Sequence, residues 1–325
     1  MGYPVTKSFN TVKHSNRETR LKKRQKQRLL ILAMLTVVML LVLMLLIFAV
    51  CSIVNAVKNN DSEDGNDAPP PTAMQFDLIT RLSSESHSYG PLLLINNSKR
   101  FDAFDEVESN LVALTPARDE NGDPYYKTAA SGLRLNKDAL VAFNKMMAIY
   151  GDGKITVTTT YRDYETQAGM TGATAAAAGY SDHHSGYLIA FDDAAIGTTT
   201  FSNILENCHK YGFIVRYPTD KSDLTGIDFN YTECLRYVGV AHANYIKQKN
   251  LCLEEYIDLV KGYSANNQLA FYSVNNKQSS YSVYYVPAAS TQLTEIQVPQ
   301  GYRYEISGNN AGGFVVAVYL NEKTA

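Results

Sequence analysis

The longest apolar stretch of the chain lies near its start, where no charged residue occurs from Leu29 to Val54. A helix rises about 1.5 Å per residue, so a run of this length exceeds the roughly 30 Å of hydrocarbon in a bilayer. The pattern predicts an N-terminal transmembrane helix, with the anchor covering residues 29–57.

A cleaved signal peptide and a lipoprotein are the two alternatives to a permanent anchor. A signal peptide cleaved near residues 54–56 would have an apolar region of roughly 7–15 residues, and the run here is longer. A lipoprotein would carry its acyl chain on Cys51, but Val50 is bulky for the residue before an acylated cysteine. The pattern therefore favours an uncleaved anchor.

Beyond residue 75 the hydrophobic pattern changes to the periods of helices and strands. Leu140, Phe143 and Met147 recur at helical spacing, which predicts a helix over residues 135–150. Strands are predicted over residues 91–96, 155–160 and 213–217. Further helices are predicted over residues 201–211, 240–247 and 253–260. Mixed elements with short links predict an α+β domain over residues 76–265.

Two further regions flank this predicted core. Residues 58–75 are acidic, poor in hydrophobic residues and end in a proline run, which predicts a disordered stalk. From Ala270 onward the pattern contains only strands, separated by turns rich in Gly, Pro and Asn. It predicts a small all-β appendage over residues 266–325, more suited to a structural cap than to binding a partner.

Charge supports an orientation for the anchor. Residues 1–28 contain nine Lys and Arg residues and one Glu, which predicts a basic tail on the cytoplasmic side and an extracellular C-terminal part. Without this tail the chain keeps 21 basic and 31 acidic residues, a formal charge of −10. Such an acidic balance argues against nucleic acid as a partner.

Cysteine usage excludes a disulfide framework. Only Cys208, Cys234 and Cys252 follow the predicted anchor, and three cysteines allow at most one internal bridge. The fold is therefore expected not to depend on disulfides.

The strongest candidate for a chemical site is the stretch from Ser181 to Asp193. Its thirteen residues include two histidines, three aspartates, two serines and a glycine, just before a predicted hydrophobic strand. Imidazole and carboxylate groups on one short stretch suit a metal ion such as zinc. A polar loop leading into a core strand is the other interpretation of the same residues.

Five short pieces occur in a fixed order from Tyr161 onward: YRDYETQ, SDHHSG, KYGFIVRYP, TG and LRYVGVAHA. In this order they resemble the VanY-type D-alanyl-D-alanine carboxypeptidases, zinc peptidases that trim the stem peptides of the bacterial cell wall. The similarity covers roughly Leu92 to Val260. It implies a VanY/Hedgehog-like zinc peptidase core of the α+β class.

The resemblance implies a substrate-binding side formed by Arg162, Gln167 and Ser181. The Arg162 guanidinium is suited to hold a substrate carboxylate with two parallel hydrogen bonds. The alternative is that Arg162 pairs with a surface acid.

The implied zinc ligands are incomplete. His183 matches the first ligand. The family's aspartate ligand falls on Ala190 in an ungapped match, or on Asp192 if two extra residues follow Gly186. In a strand Asp192 would lie on the same face as Ala190 but about 6.6 Å further along, so it could coordinate only through a bulge or loop.

The family's remaining ligand and its general base are also altered. Matched on residues 235–239, the histidine ligand becomes Cys234 and the glutamate base becomes Tyr231. Matched on residues 225–226, they become Glu233 and Asn230. Cys234 or Glu233 could bind zinc, but neither match places a carboxylate at the base position, so no catalytic residue is assigned. Of the other histidines nearby, His184 is expected to support the site from behind or to lie in solvent, and His242 is expected to be a packed or surface residue.

These features favour a membrane-anchored pseudoenzyme that faces the cell wall, lacks zinc, and binds peptidoglycan stem peptides or a cell-wall enzyme. The alternative is an active zinc D,D- or L,D-carboxypeptidase whose rearranged site uses His183, Asp192 and Cys234 or Glu233. A third hypothesis is a structural surface protein in which the C-terminal strands bind and the core is a spacer.

Overall fold

The computed structural model describes residues 74–170, 176–227, 234–274 and 276–324, together with Met39. The rest of the predicted cytoplasmic tail and membrane anchor, and residues 58–73 of the predicted stalk, lie outside the described residues. None of the described helices is long and apolar enough to cross a bilayer. The described residues from 74 onward group into one compact unit.

The last two residues of the predicted stalk belong to this unit. Met74 packs against the cluster that includes Tyr284 and Phe314. The Gln75 carbonyl oxygen accepts a hydrogen bond from the Gln300 amide at 3.0 Å. The composition assigned both residues to the stalk, but their partners in the C-terminal strands order them.

The described elements up to residue 170 are β1 (Leu78–Ser83), α1 (Phe104–Glu108), β2 (Leu111–Ala113), β3 (Lys127–Thr128), β4 (Arg134–Asn136), α2 (Lys137–Tyr150), β5 (Thr156–Thr159) and α3 (Tyr164–Ala168). The helix predicted over 135–150 is confirmed as α2. The Asn136 side chain caps its first turn by accepting from the Asp138 amide at 2.9 Å. The strand predicted over 155–160 is confirmed as β5.

The elements from residue 176 to 260 are β6 (Leu188–Phe191), α4 (Thr199–Asn207), β7 (Phe213–Val215), α5 (Ser222–Thr225), β8 (Cys234–Tyr237), α6 (Val240–Lys249) and α7 (Leu253–Val260). They confirm the predicted strand over 213–217 and the predicted helices over 240–247 and 253–260. The helix predicted over 201–211 is α4 followed by a 3₁₀ turn, Cys208–Tyr211.

The remaining elements are β9 (Leu269–Ser273), β10 (Asn276–Pro287), β11 (Leu293–Val298), β12 (Tyr302–Gly308) and β13 (Gly313–Lys323). All five strands predicted in this region are confirmed. Alternating side chains and turn residues were sufficient to locate them.

The core of the unit is a five-stranded sheet in the order β3-β5-β6-β8-β7. Its pairs are antiparallel except β3 with β5, which is parallel. One face packs against α2 through Phe143, Ile189, Phe191 and Leu235, which are all buried. Because side chains alternate along a strand, Leu188 and the positions two residues away face the opposite side.

The C-terminal strands form an antiparallel sheet in the order β12-β13-β10-β9. One of its faces packs on α6 and α7, so that Phe271 and Val315 share a buried cluster with Tyr245 and Tyr256. The Phe271 and Tyr245 rings lie 4.8 Å apart. The all-β character predicted for residues 266–325 is therefore correct, but the region shares its core with the helices and is not a separate appendage.

The segment 91–96 is not the strand that its apolar run predicted. It is an irregular segment in which Leu92 to Ile95 are buried. Its amides bond to the C-terminal sheet: Leu92 donates to Ser307 Oγ at 2.9 Å and Leu94 donates to the Asn309 carbonyl at 3.1 Å. These partners satisfy the buried backbone without a strand ladder.

The described cysteines carry no disulfide. Cys208, Cys234 and Cys252 are all free and buried. The expectation of a fold independent of disulfides is confirmed for the described part of the chain.

The shared core predicts a single cooperative unit. Phe271 is fully buried between helix and sheet, so Phe271→Ala should lower the free energy of unfolding by about 3–5 kcal/mol. Urea denaturation followed by circular dichroism should show one transition. Val141→Ala, at a position that is 48% exposed on α2, should change stability by about 0.5 kcal/mol or less. Two transitions, with only one shifted by Phe271→Ala, would show that sheet and core are independent.

Candidate functional site

A cavity of about 190 Å³ lies on the face of the five-stranded sheet that points away from α2. It is bounded by the segment after β5, the 3₁₀ turn Asp182–Ser185, strands β6 and β8, and the buried segment before Asn97. The side chains that matter for its chemistry are Asn96, Asn97, Arg162, Gln167, Ser181, His183, Leu188, Tyr217, Thr225 and Cys234. The three predicted substrate-side residues therefore meet in one cavity.

A buried ionic network supports one wall of this cavity. Asp182 lies between two arginines, with its carboxylate 2.5 Å from Arg216 Nε and 3.1 Å from Arg236 Nε. All three side chains are fully buried. Arg216 also pairs with Glu254 at 2.9 Å. Two acids therefore balance two buried guanidinium groups.

The electrostatics of Asp182 follow from this arrangement. Burial by itself would raise the pKa of Asp182, but attraction to Arg236 and Arg216 outweighs burial and lowers it. The carboxylate stays ionised and holds the turn that follows it. Its neighbour in that turn, His183, is thereby fixed relative to Arg216, which directly follows β7, and to Arg236 in β8.

The turn ends at a glycine that no other residue could replace without rearrangement. Gly186 has φ +74°, and a Cβ there would lie 2.8 Å from Leu111 Cδ2 and 3.1 Å from Val107 Cγ1. The left-handed backbone and the close packing explain why this position of the motif is a glycine.

His183 presents one defined ring nitrogen to the cavity. Its Nδ1 lies 2.5 Å from the Thr160 carbonyl oxygen. A carbonyl can only accept, so Nδ1 carries the proton and Nε2 remains as the unprotonated nitrogen. Burial, and then repulsion from Arg162, lower the pKa of His183 to about 3. A neutral imidazole oriented in this way suits either a metal ligand or an acceptor for a substrate N–H.

His184 is buried behind the cavity. Its Nε2 accepts a hydrogen bond from the Gly179 amide at 3.0 Å, and its Nδ1 lies 2.7 Å from the Arg162 carbonyl oxygen. Both ring nitrogens therefore bond to backbone. This confirms the interpretation of His184 as a supporting residue, and it shows that the side chain is not in solvent.

Arg162 is held in the cavity by Gln167. Arg162 Nη1 donates to Gln167 Oε1 at 3.0 Å, and Gln167 Nε2 donates to the Ala176 carbonyl at 2.7 Å. Gln167 is buried, on α3, whose first turn is capped by Asp163. The guanidinium thus brings a positive charge to a cavity whose other side contains His183.

The structure does not bring Asp192 to His183. Asp192 is exposed beyond the end of β6 and accepts from the Ala194 amide at 3.0 Å. It lines a different small cavity. The bulge that this ligand would require is absent from β6: the register shift between β5 and β6 places the extra residue in β5, and β6 pairs with β8 without interruption.

The position next to Cys234 in the sheet is occupied by Ala190. The two residues are direct partners in the β6–β8 ladder, and Ala190 lies two residues from Leu188, which lines the cavity. A methyl group supplies no metal ligand. In the ungapped match, this is the position of the family's aspartate ligand.

The described residues by themselves do not fit a catalytic zinc centre. His183 and Cys234 line the cavity, whereas such centres use three protein ligands. In the described parts of the chain no three His, Cys, Asp or Glu side chains are grouped to hold a metal ion. The other candidates at this point, Glu233, Tyr231 and Asn230, lie outside the described residues.

His242 is confirmed as a packed residue. It is buried on α6, with Nδ1 2.6 Å from the Tyr256 hydroxyl. Burial lowers its pKa to about 3. It belongs to the helix contact between α6 and α7.

Sequence reasoning missed the ionic network. The signal was present as single arginines within otherwise apolar strand segments, Arg216 in FIVRY and Arg236 in LRYVG. A buried charge needs a partner, but the sequence did not show that both arginines share Asp182. The contribution of Asn96 and Asn97 to the cavity wall was also missed.

Comparison with known proteins agrees with this geometry. The family model described as VanY, D-alanyl-D-alanine carboxypeptidase, matches residues 132–240. A D-alanyl-D-alanine carboxypeptidase of Enterococcus faecium is 36% identical over 251 residues, which cover 73% of this chain and 78% of that protein. This chain belongs to the VanY family.

Other members and one solved structure extend the comparison. The putative carboxypeptidase YodJ of Bacillus subtilis (strain 168) is 32% identical over 139 residues, covering 42% of this chain and 47% of that protein. The structure of the vancomycin-resistance D,D-dipeptidase VanXYg, in complex with a D-Ala-D-Ala phosphinate analogue, superposes with a TM-score of 0.62 at 25% identity. It covers 74% of this chain and 98% of VanXYg. The predicted resemblance and the α+β VanY-like core are confirmed.

The network beside the VanY cavity predicts a large stability loss on removing its acid. Asp182→Ala leaves two buried guanidinium groups with only Glu254 to balance them, so the free energy of unfolding should fall by about 3–5 kcal/mol. Urea denaturation measures this. Asp192→Ala removes an exposed acid ten residues later and should cost clearly less. Equal losses in the two variants would contradict a structural role for the buried carboxylate.

Proposed function

We propose that this VanY-family chain binds peptidoglycan stem peptides without hydrolysing them. In this proposal Arg162 and Gln167 hold the C-terminal carboxylate of the peptide, and Ser181 and His183 contact its last residue. The single observation that carries the proposal is the continuous β6–β8 register, in which Ala190 pairs with Cys234. In the ungapped motif match, Ala190 takes the position of the family's aspartate ligand.

The substrate side of the cavity supports binding. The Arg162 guanidinium has a planar face of donors, and Gln167 fixes its position through one of them. A carboxylate entering the cavity would meet this positive charge in a partly enclosed site, where a charge-assisted hydrogen bond is stronger than in water. VanXYg, which has the same fold, was crystallised with a D-Ala-D-Ala analogue.

The residues matched to the family's zinc ligands and general base support the absence of hydrolysis. In the ungapped match, and in the match on residues 235–239, the family's aspartate, histidine and glutamate correspond to Ala190, Cys234 and Tyr231. Tyrosine has a pKa near 10 and cannot act as a base toward water near neutral pH as a glutamate does. The chain would therefore lack two ligands and the base together.

The cellular setting is also a proposal. The apolar run at 29–57 and the basic residues before it support a single-pass protein with its N-terminus inside and the VanY core outside the cell. There the cavity would face stem peptides. A cell-wall enzyme that carries or processes the same peptides is the other proposed partner.

An active zinc D,D- or L,D-carboxypeptidase is the second candidate function. The observation that favours it is His183, whose Nδ1 bonds to Thr160 and whose Nε2 is thereby left for a ligand. Cys234 or Glu233 would be a further ligand. The carboxypeptidase names of the relatives support this candidate as well.

Peptide binding tests the first proposal. The purified full-length chain, treated with a chelator, should bind a pentapeptide ending in D-Ala-D-Ala in a calorimetric titration. Arg162→Ala should weaken binding at least tenfold, because a charge-assisted hydrogen bond contributes about 1.5–3 kcal/mol. Arg81→Ala, a surface arginine on β1 paired with Glu295, is the matched control and should bind like the wild type. Binding unaffected by Arg162→Ala would contradict the assigned role.

Rebuilding the site tests the loss of catalysis. Ala190→Asp, Cys234→His and Tyr231→Glu together should produce a chain that retains one zinc per molecule and releases D-alanine, because two neighbouring strand positions then complete the ligand set with His183. The same chain with Tyr231 unchanged should bind zinc but react about 10² to 10⁴ times more slowly. Stoichiometric zinc and D-alanine release by the wild type would instead establish the active enzyme.

A further inference from the structure

The turn between β12 and β13 contacts the segment that forms one cavity wall. Asn310 lies in this turn with φ +49°. Its amide donates to the His87 carbonyl at 2.8 Å. Its side-chain Nδ2 donates to two further carbonyl oxygens, of Leu94 at 3.2 Å and of Arg100 at 2.9 Å. Ser88 Oγ donates to its Oδ1 at 3.3 Å, which agrees with this orientation of the amide.

The first of these contacts leads to the cavity through residues 94–97. Leu94 is held from both sides, because its own amide donates to Asn309. Two residues later, Asn96 lines the cavity and donates to Glu254 Oε1 at 3.1 Å. Glu254 is the acid that pairs with Arg216 in the buried network. The turn thus fixes the start of the wall that ends at Asn97.

The second contact leads to the opposite wall. After Arg100, the Phe101 amide donates to the Gly179 carbonyl at 2.8 Å. The Gly179 amide in turn donates to His184 Nε2. Tyr180 and Ser181, the next two residues, line the cavity. One side-chain amide therefore spans the two backbone segments from which both walls extend.

We infer that Asn310 is a positioning residue for the peptide-binding cavity, which gives the C-terminal sheet a role in ligand recognition. The identity of the ligand, a stem peptide, rests on the proposed function. The contacts of Asn310 with the two segments do not depend on it. Asn310 touches no ligand itself. It sets the separation between the Leu94–Asn97 wall and the wall that begins at Gly179.

Asparagine suits this position for two reasons. It tolerates the left-handed backbone better than other residues with side chains, and its amide group has two donors, enough for the two carbonyl oxygens. Glycine would keep the backbone conformation and remove only the bridge. The substitution Asn310→Gly therefore separates the side-chain contacts from the shape of the turn.

The chain contains a matched control. Asn250 is the other described non-glycine residue with a positive φ, at +50°. It ends α6, lines a different cavity, and its Nδ2 lies 3.4 Å from Asp220 Oδ2 on the surface. Asn250→Gly makes the same chemical change in the same backbone conformation, away from the peptide cavity.

The experiment compares the two variants in the full-length chain. With a pentapeptide ending in D-Ala-D-Ala as the probe, Asn310→Gly should raise the Kd about tenfold, whereas Asn250→Gly should change it by less than about twofold. Hydrogen exchange should accelerate at the Leu94 and Phe101 amides in Asn310→Gly only.

A pH comparison adds a readout that general destabilisation would not change. In Asn310→Asp the carboxylate cannot donate to the two carbonyl oxygens, so the Kd relative to wild type should be high at pH 8. Protonation restores one donor, and the ratio should fall as the pH is lowered to about 4–5.

Each outcome decides the inference. Wild-type binding and exchange in Asn310→Gly would overturn it, as would equal effects of Asn310→Gly and Asn250→Gly. If the wild type binds no peptide, the proposed function fails. The hydrogen-exchange rates then still test the role of Asn310. Faster exchange at the Leu94 and Phe101 amides in Asn310→Gly alone supports positioning, and unchanged rates overturn it.

Discussion

A buried carboxylate between two arginines is the interaction on which the site depends. Asp182 joins the 3₁₀ turn that contains His183 to Arg216, the residue after β7, and to Arg236 in β8. Glu254 extends the network to α7 and, through Asn96, to the buried irregular segment. Burying carboxylates and guanidinium groups has a large desolvation cost, which is offset only when every charge in the network keeps its partner. The network therefore specifies one arrangement of five separate chain segments around the cavity.

The C-terminal sheet contributes to the same arrangement from behind. Its inner face completes a core with α6 and α7, and its β12–β13 turn bonds to the backbone of residues 87–100. The short apolar run at 91–96 has no strand partner and is ordered by these bonds. A region that the pattern separates from the core is thus part of the structure that shapes the cavity.

Membership of the VanY family accounts for the fold of the core. The cavity contains the arginine and glutamine that suit a carboxylate, together with one oriented histidine. Its sheet floor has Leu188 and Cys234, and Ala190 pairs with Cys234 in the β6–β8 ladder. A fold can keep its binding surface while its reactive groups change, since only a few side chains carry the reaction.

The sequence by itself determined the α+β class, the strands and helices with clear periodicity, the VanY resemblance and three of the residues that line the cavity. Hydrophobic period and motif order are local properties, so they can be read along the chain. The sequence could not decide whether Ala190 or Asp192 corresponds to the family's aspartate ligand, since both matches are consistent with it. The folded chain shows where the two residues lie: Ala190 pairs with Cys234 in an uninterrupted ladder, and Asp192 is exposed beyond the end of β6. The pairing of Asp182 with two distant arginines and the link from Asn310 to the cavity walls likewise exist only in the folded chain, because they join residues that are far apart along it.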